Sequence, residues 1–302
     1  MTIPQELGTR ITGFMGSLDD YEAAALVILG APMDFTVSFR PGARMGPQQI
    51  RDVSFSLEEY SIYQERELAQ VPFYDSGDLC LPFGNVKKSL QMIESGVKRI
   101  YRDGKFPLLL GGEHLVTIAA IAAAHSVYPD LAVLQLDAHA DLRDQYEGEQ
   151  YSHATVMRRV VELVGSKNVY QVGIRSGTKE EFQYARKHTN LWLDQITPAV
   201  EEVIAQVGHR PLYITLDIDV VDPAFAPGTG TPEPGGISPR ELITSFSYLK
   251  QAHVIGFDLV EVAPIYDQAE ITALLAAKLV REAILGFGFF HFQQGKLNPK
   301  QE

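Results

Sequence analysis

Four short apolar runs each end on side chains able to bind a cation or move a proton. FPLLLGG (106–112) leads into Glu113 and His114, and LAVLQL (131–136) into Asp137, His139 and Asp141. PLYITL (211–216) leads into Asp217 and Asp219, and HVIGFDLV (253–260) into Glu261. In extended backbone, side chains at i, i+2 and i+4 share a face, so Asp137, His139 and Asp141 are predicted to converge, as are Asp217 and Asp219. Carboxylates that follow apolar strands are costly to desolvate without a counter-charge. Gathering these groups around His114 makes their repulsion severe, and a pair of divalent cations relieves it. Oxygen donors mixed with imidazole suit Mn²⁺ or a neighbouring transition metal better than Ca²⁺ or a thiolate-preferring ion.

Each fragment alone has a plainer explanation. A lone DxD at a strand end is often a turn or a cap, and a lone histidine before a helix start near Leu115 usually packs or caps. Three such fragments at strand ends of one sheet are hard to explain without metal. Asp222, followed by Pro223, reads as a turn former rather than a ligand. His125, His188, His209, His253 and His291 lie away from these strand ends. The glycines of GGEH are not a phosphate loop, because no GK[ST] follows; they read as a tight turn.

The elements that must position these groups are legible as a repeat of apolar run, loop and amphipathic helix. The other runs are ALVILGAP (25–32), VPFYDSGD (71–78) and VYQVGIRS (169–176). Their apolar character without alternation suits strands buried on both faces, as in a parallel sheet. Helices are predicted over 86–102, 115–127, 154–164, 199–207, 239–250 and 268–285. Capping boxes mark two helix starts, Thr178 with Glu181 and Ser238 with Glu241, the latter with Pro239 in the first turn. The alternation predicts one α/β domain over 1–302 with a mostly parallel central sheet. Ligands of such sheets bind beyond the carboxyl ends of the strands. PGTGTPEPGG (227–236) is too short for a linker and reads as an ordered loop.

Composition narrows the function classes. Hydrophobic residues make up 45% and charged residues 21%, which excludes disorder. A net charge of −12 disfavours nucleic acid and mildly favours a cationic partner. The first residues lack the apolar core of a signal peptide and no long apolar run follows, so a cytoplasmic protein away from membranes is expected. Cys80, the lone cysteine, cannot form an internal disulfide and is expected to be buried.

With these residues in place, the sequence resembles the ureohydrolase family of arginases, agmatinases and their guanidino-hydrolysing relatives. The resemblance rests on GGEH (111–114), DAHAD (137–141), SHATVMR (152–158), DIDVVDPAFAPGTGTPEPGG (217–236) and DLVEVAP (258–264), in family order across nearly the whole chain. It implies a three-layer α/β/α fold and a centre of two Mn²⁺, with Ni²⁺, Co²⁺ or Fe²⁺ also compatible with the donors. One ion would be held by His114 and Asp141, the other by His139 and Asp219, with Asp137 and Asp217 bridging. Two such ions about 3.5–4 Å apart lower the pKa of a shared water for attack on a guanidinium carbon. The resemblance further implies that Asp141 passes on the water's proton, that His153 shuttles a proton to the departing amine, and that Glu261 pairs with the substrate guanidinium. A homotrimer or homohexamer is the family's habit.

The loop Leu142–Tyr151 bears on the substrate. It lacks the Ser-Gly-Asn run with which arginases read an α-amino acid, and it resembles the loop of bacterial agmatinases. Its acids, Asp144, Glu147 and Glu149, would attract a second cationic group and repel a carboxylate, which implies hydrolysis of agmatine to putrescine and urea. Arg143 keeps a carboxylate-bearing substrate such as guanidinobutyrate open as the alternative; guanidine and arginine are further ones. From a different class, a non-catalytic metal-dependent binder on the same fold would be expected to have lost a ligand or proton shuttle, and none is lost. A zinc deacetylase on a related fold would expect a single metal and fewer carboxylates.

Overall fold

Strand-forming runs and amphipathic helices alternate along the chain as the pattern predicts. The computed structural model describes residue 8 and residues 12–193 and 196–297. The strands are β1 (Leu26–Ala31), β2 (Tyr60–Ser61), β3 (Arg66–Glu67), β4 (Phe73–Asp78), β5 (Phe106–Gly111), β6 (Ala132–Leu136), β7 (Val169–Val172), β8 (Asn190–Trp192), β9 (Leu212–Asp217) and β10 (Val254–Val260). The helices are α1 (Gly46–Ser54), α2 (Val86–Arg102), α3 (Val116–Val127), α4 (Val156–Val164), α5 (Lys179–His188), α6 (Thr197–Val207), α7 (Pro239–Leu249), α8 (Ile271–Ala283) and α9 (Phe289–Leu297). Eight strands form one sheet in the order β4-β1-β5-β10-β9-β6-β7-β8. Every neighbouring pair in it is parallel. β2 and β3 form a separate antiparallel hairpin.

The pleat sends alternate residues to opposite faces, and each face is covered by helices, giving three layers. On one face Ile28, Leu108, Leu134 and Ile214 pack with α1, α6, α7 and α8. On the other Val27, Leu109, Val133 and Tyr213 pack with α2, α3 and α4. α3 is apolar on every side and accordingly buried, lying against α2, α4 and strands β5, β9 and β10. Both predicted capping boxes are formed, Glu181 accepting from the N–H of Thr178 at 2.8 Å and Glu241 from that of Ser238 at 2.8 Å.

One local expectation is corrected, and two elements go unannounced in the sequence. Helix α1 is one: Pro47 sits in its first turn, and Arg51 turns inward to Asp75 at 2.8 Å and Asp78 at 2.6 Å. A buried arginine looks polar in sequence and hides the helix's inner face. The short edge strand β8 has no apolar run to announce it. Cys80 is exposed rather than buried. No helix among the described residues is long and apolar enough to cross a membrane.

Candidate metal centre

The strand order sets β5, β10, β9 and β6 side by side, so their carboxyl ends deliver His114, Glu261, Asp217 with Asp219, and Asp137 with His139 and Asp141 to one place. His114 Nδ1 lies 3.1 Å from Asp137 Oδ2, 3.1 Å from Asp141 Oδ2 and 3.5 Å from Asp217 Oδ2. His139 Nδ1 lies 2.9 Å from Asp219 Oδ2 and 3.7 Å from Asp137 Oδ1. All six predicted ligands thus meet in one cluster. Two overlapping donor sets emerge, His114–Asp137–Asp141 and Asp137–His139–Asp219, with Asp137 common to both.

Turns, rather than a continued pleat, achieve this convergence. β6 stops at Leu136, and Asp141 takes a left-handed φ of 52°. Asp217 caps the single turn Ile218–Val220, its Oδ1 accepting the N–H of Asp219 at 2.9 Å. Asp137 is held from both sides, Oδ2 by Gln135 Nε2 at 2.6 Å and Oδ1 by the N–H of His139 at 2.6 Å. The glycine turn of GGEH permits the approach: a Cβ on Gly112 would stand 2.0 Å from the carbonyl oxygen of Met33. Arg175 donates to the carbonyls of Asp219 and Glu233, each at 2.7 Å, tying the Asp219 turn to the ordered loop 227–236.

Burial first, then mutual repulsion, pushes Asp137 up to about 7, and the same causes push Asp217 well above the carboxylate range. Burial opposes charge on Asp219 too, but His139 beside it prevails and brings it down to about 2. For His139 burial favours the neutral ring, and the surrounding carboxylates overcome this and carry it up to about 10. These are the shifts of an anionic cluster that needs cations. His114 Nδ1 is buried and, although close to three carboxylates, has none in hydrogen-bond geometry. Against the effect of burial, Asp137 and Asp141 raise His114 well above the usual imidazole value; a buried ring nitrogen aimed at carboxylate oxygens fits a bound cation in place of that proton, and the donor set fits a binuclear metal site.

The cluster floors a cleft of about 290 Å³. His153 borders it half-buried, Nε2 3.3 Å from Ser38 Oγ and Nδ1 3.2 Å from Ser152 Oγ. Burial lowers His153 below the usual imidazole value, partly opposed by Asp141. Glu261 also lines the cleft, with a left-handed φ of 65°; burial raises it to about 8. Its Oε1 already accepts the N–H of His114 at 2.7 Å, which leaves Oε2 without that partner. Arg143 reaches the cleft, but Glu181 engages it at 3.4 Å and it lies over the Tyr146 ring. Glu147 and Glu149 line a neighbouring groove of about 820 Å³ beside α2 and α3 rather than the cleft itself. Asp144 is taken up by Arg159 at 3.1 Å. Asp222, as expected of a turn former, accepts the N–H groups of Ala224, Gly235 and Gly236.

Sequence reading gave no role to several residues that build this site. Glu113, fully buried, accepts the N–H groups of Phe35 and Thr36 and the Thr36 hydroxyl, and Thr36 Oγ1 in turn accepts the N–H of His153 at 3.0 Å. Glu181 is legible as a cap, yet its Oε1 also accepts the N–H of Leu142 at 2.9 Å and fixes the start of the acidic loop. Thr215 and Asp258 stand inside otherwise apolar strands, a signal available in the sequence because a lone carboxylate in a buried run requires partners.

The Arginase family matches residues 24–286. The agmatinase of Halalkalibacterium halodurans is 50% identical over 278 residues, 91% of this chain and 96% of the relative. The agmatinase of Bacillus subtilis is 50% identical over 277 residues, with 91% and 96% covered. Among solved structures, a putative agmatinase from Clostridium difficile superposes with a TM-score of 0.87 at 39% identity, covering 89% of this chain and 99% of that one.

Proposed function

The chain belongs to the arginase family, and from that premise we propose that it hydrolyses agmatine to putrescine and urea on two Mn²⁺ ions. The observation that carries the substrate is the state of Arg143. It is the only lysine or arginine among the described residues lining the cleft, and Glu181 engages it. A substrate carboxylate would have to compete with Glu181 for it, whereas a dication meets acidic walls. The identity with agmatinases over most of the chain supports the same substrate.

His114, Asp141, Asp137 and Asp217 would hold one ion, and His139, Asp219, Asp137 and Asp217 the other. When bound, such a pair supplies Lewis-acid activation of water at neutral pH. The chain's own residues do the rest. Glu261 accepts hydrogen bonds from the guanidinium through Oε2 and turns the guanidino carbon toward the carboxylate cluster. Asp141 takes the attacking water's proton at a carboxylate oxygen. As the C–O bond forms and the bond to the alkyl-bearing nitrogen breaks, the neutral His153 ring accepts the proton that Asp141 has taken up and passes it to the leaving amine, so that both residues end as they began. Glu147 and Glu149 draw the primary ammonium toward the cleft from the adjoining groove. We place the enzyme in the cytoplasm, where an exposed free thiol such as Cys80 stays reduced, and expect a homotrimer or homohexamer.

The test is urea release by Mn²⁺-loaded protein supplied in parallel with agmatine, arginine, guanidinobutyrate and guanidine. Preference for agmatine, abolished by a chelator, is expected. Preference for guanidinobutyrate or arginine would overturn the substrate and turn attention to Arg143.

A further inference from the structure

One layer beneath the carboxylate cluster, a row of polar side chains crosses the middle of the apolar sheet. Gln171, Gln135, Thr215 and Asp258 are register neighbours on β7, β6, β9 and β10. Asp217, at the end of β9, stands two residues beyond Thr215, and Asp137, just past the end of β6, two residues beyond Gln135. All four members of the row are fully buried. Leaving polar groups unpaired at that depth costs about 1–3 kcal/mol each, so their bonds are specific. Gln171 Nε2 donates to Gln135 Oε1 at 2.7 Å, and Gln135 Nε2 donates to Asp137.

The other end of the row serves His114. Among the described residues Asp258 meets no lysine or arginine; Oδ1 accepts from Thr215 Oγ1 at 2.6 Å and Thr117 Oγ1 at 3.2 Å, and Oδ2 from the Tyr213 hydroxyl at 2.9 Å. A threonine hydroxyl has one hydrogen. Spent on Asp258, it leaves the Thr215 oxygen able only to accept from His114 Nε2, 3.0 Å away. Nε2 therefore keeps its proton, and Nδ1, buried and facing Asp137, Asp141 and Asp217, is the nitrogen left to take a cation.

We propose that Asp258, acting through Thr215, is a positioning residue that fixes the His114 tautomer and ring orientation and thereby sets the cation affinity of the His114 side of the cluster. The relay inserts a hydroxyl between carboxylate and imidazole, where direct carboxylate–imidazole contacts do the same work at other metal sites. It rests on the two-cation reading of the cluster, and its test separates the two.

The experiment is titration of chelator-stripped full-length protein with Mn²⁺ alone, following free ion by electron paramagnetic resonance. Wild type is expected to take up two ions. Thr215→Val, which keeps the shape and removes the hydroxyl, should weaken one of the two binding events by roughly 10–100-fold and spare the other. Asp258→Asn should weaken the same event, and Thr215→Ser should restore it. A folded Thr215→Val that binds both ions like wild type overturns the relay, as does a Thr215→Ser variant as weak as Thr215→Val. Should Thr215→Val not fold, Asp258→Asn binding both ions with wild-type affinity overturns it equally. Wild type binding fewer than two ions overturns the binuclear reading and the relay with it.

Discussion

Glu261 Oε1 accepts the backbone N–H of His114 at 2.7 Å, which locks the acid facing the cleft to the chain that carries a metal donor on the adjacent strand. The contact spans 147 residues of sequence and spends one carboxylate oxygen on positioning, so that under the proposed function Oε2 is the oxygen that would meet a guanidinium. The left-handed φ at Glu261 fits this, because a residue held so firmly tolerates an otherwise unfavourable backbone.

Replacing Glu261 with Gln keeps an acceptor for the His114 N–H and removes the charge. Turnover should fall by about 2–5 kcal/mol of transition-state stabilisation, the cost of unpairing a buried charge. Mn²⁺ stoichiometry should remain two. Steady-state kinetics with metal analysis checks this, and unchanged kcat/KM would remove Glu261 from guanidinium binding.

His153 touches the cluster only at a distance and is suspended between Ser38, Ser152 and the Thr36 hydroxyl. His153→Asn should therefore keep the metals and lower kcat by roughly 10²–10⁴-fold. Burial lowers this imidazole below its ordinary value, so it is neutral at pH 7 and becomes protonated only as pH falls further. An acidic limb of kcat below the ordinary histidine value should disappear in the variant. A limb that persists unchanged would assign it to another group.

The strand ends were readable because a buried parallel sheet writes its strands as unbroken apolar runs, and charges at their ends stand out. The path of the chain after those ends was not. Pleat spacing predicts that Asp137, His139 and Asp141 share a face, whereas the left-handed Asp141 brings them together through a turn. Glu113 was visible as a strand-end acid, but its contacts with Phe35 and Thr36 lie 77–78 residues away and leave no local trace. Glu181 was read correctly as a cap, and its hold on Arg143 required knowing which loop lies opposite. Arg143 thus looked free in sequence and is paired in the fold.

Glu147 and Glu149 border the neighbouring groove, so under the proposed function their charge would act on an approaching ammonium over a distance that salt can screen. The double substitution Glu147→Gln, Glu149→Gln should raise the KM for agmatine severalfold at about 0.02 M salt and hardly at about 0.5 M salt. KM unchanged at both would end their part in recognition.

The buried acids also predict how the metal-free protein responds to pH. Burial raises Glu113 and Asp137 to about 7 and Glu261 to about 8, while neighbouring carboxylates carry His139 to about 10 against the opposing effect of burial. Each group holds its proton more tightly folded than unfolded. Its stabilising contribution is complete below the unfolded value and is lost as pH rises through the folded one. Asp219, lowered to about 2, has the opposite sign, but its contribution disappears only in strong acid, outside this window. Chelator-treated protein should therefore lose thermal stability progressively from about pH 4, near the carboxylates' unfolded values, to about pH 10, where His139 gives up its proton. Mn²⁺ requires its own ligands among these groups, Asp137 and His139, unprotonated, so the stabilisation it confers should grow over that range. Melting curves with chelator and with Mn²⁺ across the window decide the matter: a metal-free Tm that climbs with pH would mean that the carboxylates are already ionised in the empty site and that the cluster is held together by something other than shared protons.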